Sequence, residues 1–227
     1  MAEMIEIRHI DFSYRKNRVL KDVSFDIPAG ACVAILGANG SGKSTLLSIL
    51  SGARKCKGAS MMFNGHDLLK EGSLRNDSLG YVPQTDPLIP ELSVFDNLLL
   101  WYKGRRADFG EAILTPSIAM LGIDGFLKKP VKALSGGMRK RVSIATALIN
   151  EPEILILDEP ASALDLCYKA DIRGYLKEYQ SAGHTVIMST HDAEDLDICD
   201  RLYLLKDGEI NETDKAIRGD ELLALLR

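Results

Sequence analysis

Glycines, a lysine and hydroxyls, the residues that handle phosphate, stand together at Gly37-Ala38-Asn39-Gly40-Ser41-Gly42-Lys43-Ser44-Thr45. The spacing fits the pattern G-x-x-x-x-G-K-[ST] without a mismatch. Glycines at Gly37, Gly40 and Gly42 let successive backbone N–H groups turn inward around phosphate oxygens. A helix starting behind them adds unpaired N–H donors and partial positive charge. Lys43 is then placed to reach β- and γ-phosphates, and Ser44 to offer its hydroxyl to Mg²⁺. The chemistry implied is nucleoside triphosphate binding. Its purpose is not stated by the loop.

Other positions could join that chemistry. Asp158-Glu159 closes the apolar run Ile154-Leu155-Ile156-Leu157. A carboxylate there can hold Mg²⁺ directly or through water, and its neighbour can polarise an attacking water. Gln84 follows Pro83 just past the short run from Leu79, and His191 follows the run from Thr185 to Met188. Ligands of open α/β sheets sit beyond such strand ends. Tyr14 could stack on a nucleotide base or simply pack. Finally, Leu134-Ser135-Gly136-Gly137 opens a helix whose first turns carry Arg139, Lys140 and Arg141. Positive charge there opposes the helix dipole, a conflict that an anion on this N-terminus would ease.

The elements that must position these residues are legible from periodicity. Ala31 to Leu36 and Ile154 to Leu157 read as strands buried on both faces. Leu46, Leu47, Ile49 and Leu50 have helical spacing, and Gly52 can end that helix. Ile5 to Ile10, with Phe12 and Tyr14, and Val23 to Ile27 alternate as half-buried strands, which suggests an antiparallel flank. Asn64-Gly65 and Asp207-Gly208 are hairpin signals. After Gln84 the pattern turns helical. Ser93-Val94-Phe95-Asp96 resembles a capping box, with Val94, Leu98, Trp101 and Tyr102 near one face and Trp101 read as packing. A helical stretch is expected over 111–121, and Lys103, Arg105 and Arg106 read as a solvated face. No strong strand appears before Ser135. A further helix should bury Tyr168, Ile172, Tyr175, Leu176 and Tyr179, and a short one should follow Asp220.

The bulk properties set bounds. The 227 residues are 46% hydrophobic and 26% charged, an ordinary globular composition. A net charge of -4 gives no sign of a global nucleic-acid surface. No apolar run approaches the ~18 residues of a membrane span, so a membrane role would pass through a partner. The N-terminus lacks the pattern of a signal peptide. The four cysteines form no C-x-x-C pair, which fits reduced thiols in a cytosolic protein, with Cys32 in the core.

With these motifs in order, the chain resembles the nucleotide-binding subunit of ATP-binding cassette transporters. The resemblance spans nearly the whole sequence. It implies an α/β fold: a P-loop NTPase core with a parallel sheet, an antiparallel β flank and an inserted α-helical subdomain. The whole of 1–227 would be one domain, with the core over 1–84 and 152–227 and the helical part over 85–151. Tyr14 matches the family's adenine-stacking aromatic. Gly37 to Thr45, with Asn39 and Ser41, match its phosphate loop. Gln84 matches its coupling glutamine, read also as a metal contact beside Ser44 and Asp158. Ser135, Gly136 and Gly137 match its signature. Asp158, Glu159 and His191 match the magnesium aspartate, catalytic glutamate and switch histidine. Lys43, Gln84, Glu159 and His191 would then be the catalytic set. Asp165 matches the aspartate that crosses the dimer interface. Met138, Ala161 and Leu166-Cys167 depart from the commonest residues without touching a catalytic position.

The resemblance further implies ATP and Mg²⁺ as cofactors and two cassettes paired head to tail, in the likeness of a homodimer. Each ATP would lie between one chain's phosphate loop and the other's signature helix. An integral membrane subunit would be the partner, with the chain at the inner face of the membrane and no direct nucleic acid. Residues 84–98 are similar to short export-type cassettes, and no added C-terminal domain of the sugar-importer kind follows the last hairpin, so export is expected. The alternatives are an importer cassette and a soluble cassette acting on ribosomes or DNA, though the latter usually carries two cassettes or a long coiled coil. A small-molecule kinase or GTPase is opposed by the signature sequence.

Overall fold

The apolar runs become neighbours in one sheet. The structure, a computed structural model, describes residues 4–161, 164 and 166–226. Strands β1 (Met4–Tyr14), β2 (Asn17–Pro28), β4 (Ser60–Phe63) and β5 (His66–Asp67) form a four-stranded antiparallel sheet in the order β2-β1-β4-β5. Strands β3 (Cys32–Leu36), β6 (Leu79–Val82), β7 (Ile154–Asp158), β8 (Thr185–Ser189), β9 (Arg201–Lys206) and β10 (Glu209–Thr213) form the second sheet, in the order β10-β9-β3-β8-β7-β6. Its pairs are parallel except β9 with β10, which are joined by the Asp207-Gly208 turn.

Every residue of β3, β7 and β8 is buried. Alternate side chains enter two different cores. Val33, Ile35, Ile154, Ile156 and Ile187 pack with the antiparallel sheet and with α1 (Lys43–Leu50). Cys32, Ala34, Leu36, Leu155, Leu157 and Met188 pack on the opposite face. There they meet α6 (Gly136–Leu148), α7 (Leu166–Ser181), Val94 and Leu98 of α3 (Val94–Trp101), and Ile217 and Leu222 near the C-terminal helix α8 (Gly219–Leu226). Two-sided burial is why these strands read as continuous apolar runs rather than as alternation. Among the described residues, no helix is long and apolar enough to cross a membrane.

Several expectations are redrawn. A helix not expected from the sequence, α2 (Gly72–Ser78), precedes β6. The helical stretch over 111–121 is broken into α4 (Phe109–Ala112) and α5 (Pro116–Ala119). Pro116 has no N–H to continue a helix, and it holds Thr115 extended before α5. Trp101 is not packed: it is 49% exposed, whereas Val94 and Leu98 are buried. The last turn of α3 runs beyond the core, and the chain leaves extended at Tyr102. Lys103 is not simply solvated. It pairs with Asp77 at 2.9 Å and with the Asn76 carbonyl, and Arg105 pairs with Asp108. Ser93 caps α3 as the sequence suggested, accepting from the Asp96 N–H and donating to its carboxylate.

β6 is held against α6 by a close approach. A β-carbon on Gly80 would lie 2.5 Å from the Ala147 carbonyl oxygen. We expect Gly80→Val to force backbone apart and cost about 1–3 kcal/mol, by the usual penalty for overpacking. Urea unfolding measures this, and an unchanged midpoint would contradict the contact.

Candidate functional site

The parallel strands deliver their functional residues to one edge of the sheet. β7 lies between β6 and β8, with Val82 opposite Leu157 and Asp158 opposite Ser189. Asp158 and Glu159 therefore emerge between Gln84 on one side and Ser189-Thr190-His191 on the other. Gln84 Nε2 donates to Glu159 Oε2 at 3.2 Å. His191 Nδ1 stands 3.6 Å from Glu159 Oε1, in ion-pair range if protonated. The His191 side chain is 63% exposed and that of Glu159 only 13%, so the carboxylate lies inside and the imidazole at the rim.

Ser189 binds the acidic pair together. Its hydroxyl donates to Asp158 Oδ1 at 2.6 Å and accepts from the Glu159 N–H at 3.0 Å. The same N–H lies 3.2 Å from the Ser189 carbonyl. Glu159 has φ 48°, a left-handed backbone that a non-glycine residue adopts only when its surroundings hold it there. The next residues are tied to α7. Thr190 Oγ1 donates to Asp195 Oδ2, Lys169 pairs with Asp192 at 2.7 Å, and Arg173 pairs with Asp195 at 3.2 Å. Burial raises the Asp195 carboxyl above its ordinary range, against the bonds from Thr190 and Arg173. This bracing of the segment around His191 went unread in the sequence. Its signal was present as Lys169 and Arg173, one helical turn apart, and the acidic residues Asp192 and Asp195.

The glycine loop follows β3 on the neighbouring strand. Gly37 sits where a side chain cannot fit, because a β-carbon would come 2.5 Å from both the Leu205 carbonyl oxygen and Ser41 Oγ. Lys43 is buried, and its Nζ donates to the Gly37 carbonyl at 2.8 Å and the Ala38 carbonyl at 3.2 Å. Burial lowers the Lys43 pKa, while the charges of Glu159 and Asp158 act to raise it. Lysine and carboxylates thus share one electrostatic site. The start of α1 has Gly42 at its cap, with no side-chain cap bond and no acid in its first turn, so its N–H groups are free for an anion. Asn39 and Gly40 are exposed on the loop, as is Ser44 in the first turn, and Thr45 is buried. A cleft of about 390 Å³ on the loop's flank is lined by Arg18, Val19, Lys21, Asn39, Ser41 and Lys206.

Tyr14 is brought to the same helix. Its hydroxyl lies 3.3 Å from Thr45 Oγ1, and the ring is partly exposed. The Arg54 guanidinium lies over that ring at 4.9 Å, so one part of its surface is already stacked.

Three further candidates lie at the start of α6. Ser135 caps α6 by accepting from the Met138 N–H at 3.3 Å, with Gly136 exposed beside it. Gly137 is buried against the Tyr168 ring. Among the described residues, none of the three makes a hydrogen bond to Lys43, Gln84, Asp158, Glu159 or His191. The three cations that follow, which the sequence shows as one basic run, point to separate partners. Arg139 donates to the Leu134 carbonyl, Lys140 faces Asp86, and Arg141 pairs with Asp171 and lies over the Tyr168 ring. Each of the three thus has an internal partner at this helix start. Asp165, with the neighbouring Ser162 and Ala163, lies outside the described residues.

Comparison with known proteins gives the family and the fold. Residues 20–162 match the family model described as ABC transporter. The chain is 37% identical over 216 residues to the sulfate/thiosulfate import ATP-binding protein CysA of Bacillus cereus, covering 92% of this chain and 60% of that protein. It is 32% identical over 231 residues to the linearmycin resistance ATP-binding protein LnrL of Bacillus subtilis, covering 98% of this chain and 74% of that one. The chain thus spans about 60% of the length of the import protein. Among solved structures it superposes on a dimeric ATP-binding cassette in a post-hydrolysis state bound to ADP and Pi. That match has a TM-score of 0.83 and 30% identity, and covers 95% of this chain and 99% of the other.

We expect Ser189→Ala to leave buried Asp158 without its hydroxyl donor, while the Glu159 N–H keeps the carbonyl of residue 189. The loss should be about 1–3 kcal/mol of stability. Chemical denaturation reads it, and wild-type stability would show that the hydroxyl does not brace the pair.

Proposed function

Because the chain belongs to the ABC transporter family, we propose that it binds and hydrolyses Mg·ATP and works as the motor of a membrane transporter. One observation carries the reading: Glu159 is held between Gln84 and His191, in the electrostatic range of Lys43. In this reading loop 37–45 and the start of α1 hold the phosphates, and Tyr14 offers its ring to the base. Lys43 exchanges the Gly37 and Ala38 carbonyls for phosphate oxygens, bringing positive charge where charge builds up. Glu159 accepts the proton of an attacking water, with Gln84 and His191 fixing the carboxylate and reaching toward the γ-phosphate.

The donor set suits magnesium. A Ser44 hydroxyl, the Asp158 carboxylate and the Gln84 amide are all oxygen donors, and Ser189 engages Asp158 through Oδ1. Among the described residues there is no cluster of three or more His, Cys, Asp or Glu that could hold a metal unaided. Magnesium is commonly held by one or two carboxylates, with other oxygens, phosphate and water completing its shell. When bound, magnesium neutralises phosphate charge.

The working unit proposed is two cassettes, with Ser135, Gly136, Gly137 and Asp165 acting on the partner's nucleotide and 85–151 moving as a helical subdomain. Support comes from the exposed, capped start of α6, which among the described residues makes no hydrogen bond to the acidic pair. The chain would sit on the cytoplasmic side of a membrane through an integral subunit. A groove of about 410 Å³ lined by Arg75, Leu79, Tyr81, Pro83, Pro87 and Trp101 is the docking surface proposed for a helix of that subunit. For direction we favour export, on the likeness of 84–98 to export-type cassettes and the match over 98% of this chain to the linearmycin resistance protein. The higher identity to the sulfate/thiosulfate import protein supports import as the second reading.

Glu159→Gln keeps the shape and loses the base. We expect hydrolysis to fall about 10²–10⁴-fold while ATP still binds. Light scattering should then find two chains held together by trapped ATP. A variant that stays monomeric at saturating ATP would sink the paired reading. The membrane side is tested in inside-out vesicles with the co-expressed membrane subunit. A cysteine replacing Trp101 should crosslink to that subunit, and ATP should drive substrate into the lumen. Crosslinks confined to the turn at Asp207 would refute the groove, and ATP-driven efflux from the lumen would refute export.

A further inference from the structure

A buried ion pair outside the residues assigned above links two parts of the proposed site. Lys140 follows Ser135 by five residues in α6. Its side chain is 6% exposed, and its Nζ is buried without a hydrogen bond. Asp86 Oδ1 stands 3.4 Å away, also buried and without a hydrogen bond, on a side chain 27% exposed. Asp86 follows Gln84 by two residues, in a stretch that has neither helix nor strand between Val82 and Val94.

Such a pair is an unfavourable way to gain stability. Desolvating an ammonium group is costly, and one long contact recovers that cost poorly. Arg139 and Arg141, on either side of Lys140, both find hydrogen bonds. A long apolar side chain at 140 would pack into the same core without a charge. What the ionic pair supplies is a directional tie. The far end of the 83–93 stretch is already fixed, because Asn97 bonds the Ile89 N–H and carbonyl and the Ser93 carbonyl. Asp86 is the charged anchor at its near end, next to the glutamine that touches Glu159.

We propose that Asp86 and Lys140 form an ionic latch that sets the start of α6, and with it Ser135 to Gly137, relative to Gln84. Both are positioning residues. The latch rests on the two-cassette reading above, in which Gln84 serves the chain's own nucleotide and Ser135 serves the partner's. It makes the signature end of one site sensitive to the state of the other, because both hang on one pair of charges.

The test compares the wild-type chain with Asp86→Asn, Lys140→Met and the double variant. It follows kcat, KM for ATP and the thermal midpoint, with ATP-driven pairing measured in the Glu159→Gln background. Each single change should lower kcat on the order of 2- to 30-fold, the usual range for residues that carry coupling. KM should stay within about twofold, since the phosphate loop is untouched. The double variant should do no worse than the poorer single one, because both remove the same link. Wild-type kcat in the folded single variants, or losses that multiply in the double, overturns the latch. So does a fall in thermal midpoint with kcat per folded chain unchanged, which marks a merely structural pair. If Lys140→Met does not fold, Asp86→Asn decides by the same readings. A wild-type chain that neither hydrolyses ATP nor pairs would overturn the functional reading and the latch together. An active wild type with unaffected variants overturns the latch alone.

Discussion

Parallel pairing of β7 between β6 and β8 is the constraint on which the rest depends. Strands buried on both faces can carry only apolar side chains along their length, so polar chemistry is pushed to their ends. In a parallel sheet those ends lie on one side. The register Val82–Leu157 and Asp158–Ser189 then brings Gln84, Glu159 and His191 to a single edge from segments far apart in the chain. A one-residue slip would send Asp158 into an apolar core with no Ser189 hydroxyl to receive it.

Around that edge, rigidity and freedom are divided. Asp158 is buried and bonded, Glu159 is held in a left-handed backbone, and the segment after β8 is braced by Arg173 and Lys169. Lys43 is buried on carbonyls that phosphate oxygens can replace, and burial already makes its charge costly. Desolvated charges that await an opposite charge form a preorganised site. His191, Gln84, Ser44 and Ser135 are exposed, and in the proposed reading they would face the nucleotide.

The helical stretch from Val94 to Leu148 shares one core with the sheet through Val94, Leu98, Leu134, Val142 and Leu148. Near Gln84, contact with that stretch passes through fewer groups: the Gly80–Ala147 approach at the floor and Asp86–Lys140 above it. Trp101 and Lys103 border the groove on the outer side, where Lys103 reaches Asp77.

Much of this was legible in the residues. The phosphate loop, the apolar strands with their terminal carboxylates, the Ser93 cap and the two hairpin turns depend on local chemistry: glycine freedom, unbroken apolar runs, short polar caps. These act within a few residues, so the sequence by itself determined them. What spacing could not show was where long side chains end. Trp101 shares a helical face with buried Val94 and Leu98, yet the core stops short of it. Arg139, Lys140 and Arg141 look like one basic patch, yet each is drawn to a different partner 5 to 54 residues away. Ser189 becomes a brace only because β8 lies beside β7. Partners of that kind are chosen by strand order and helix packing, and only the tertiary structure decided them, because the energy of a buried charge or hydroxyl depends on what stands next to it in space.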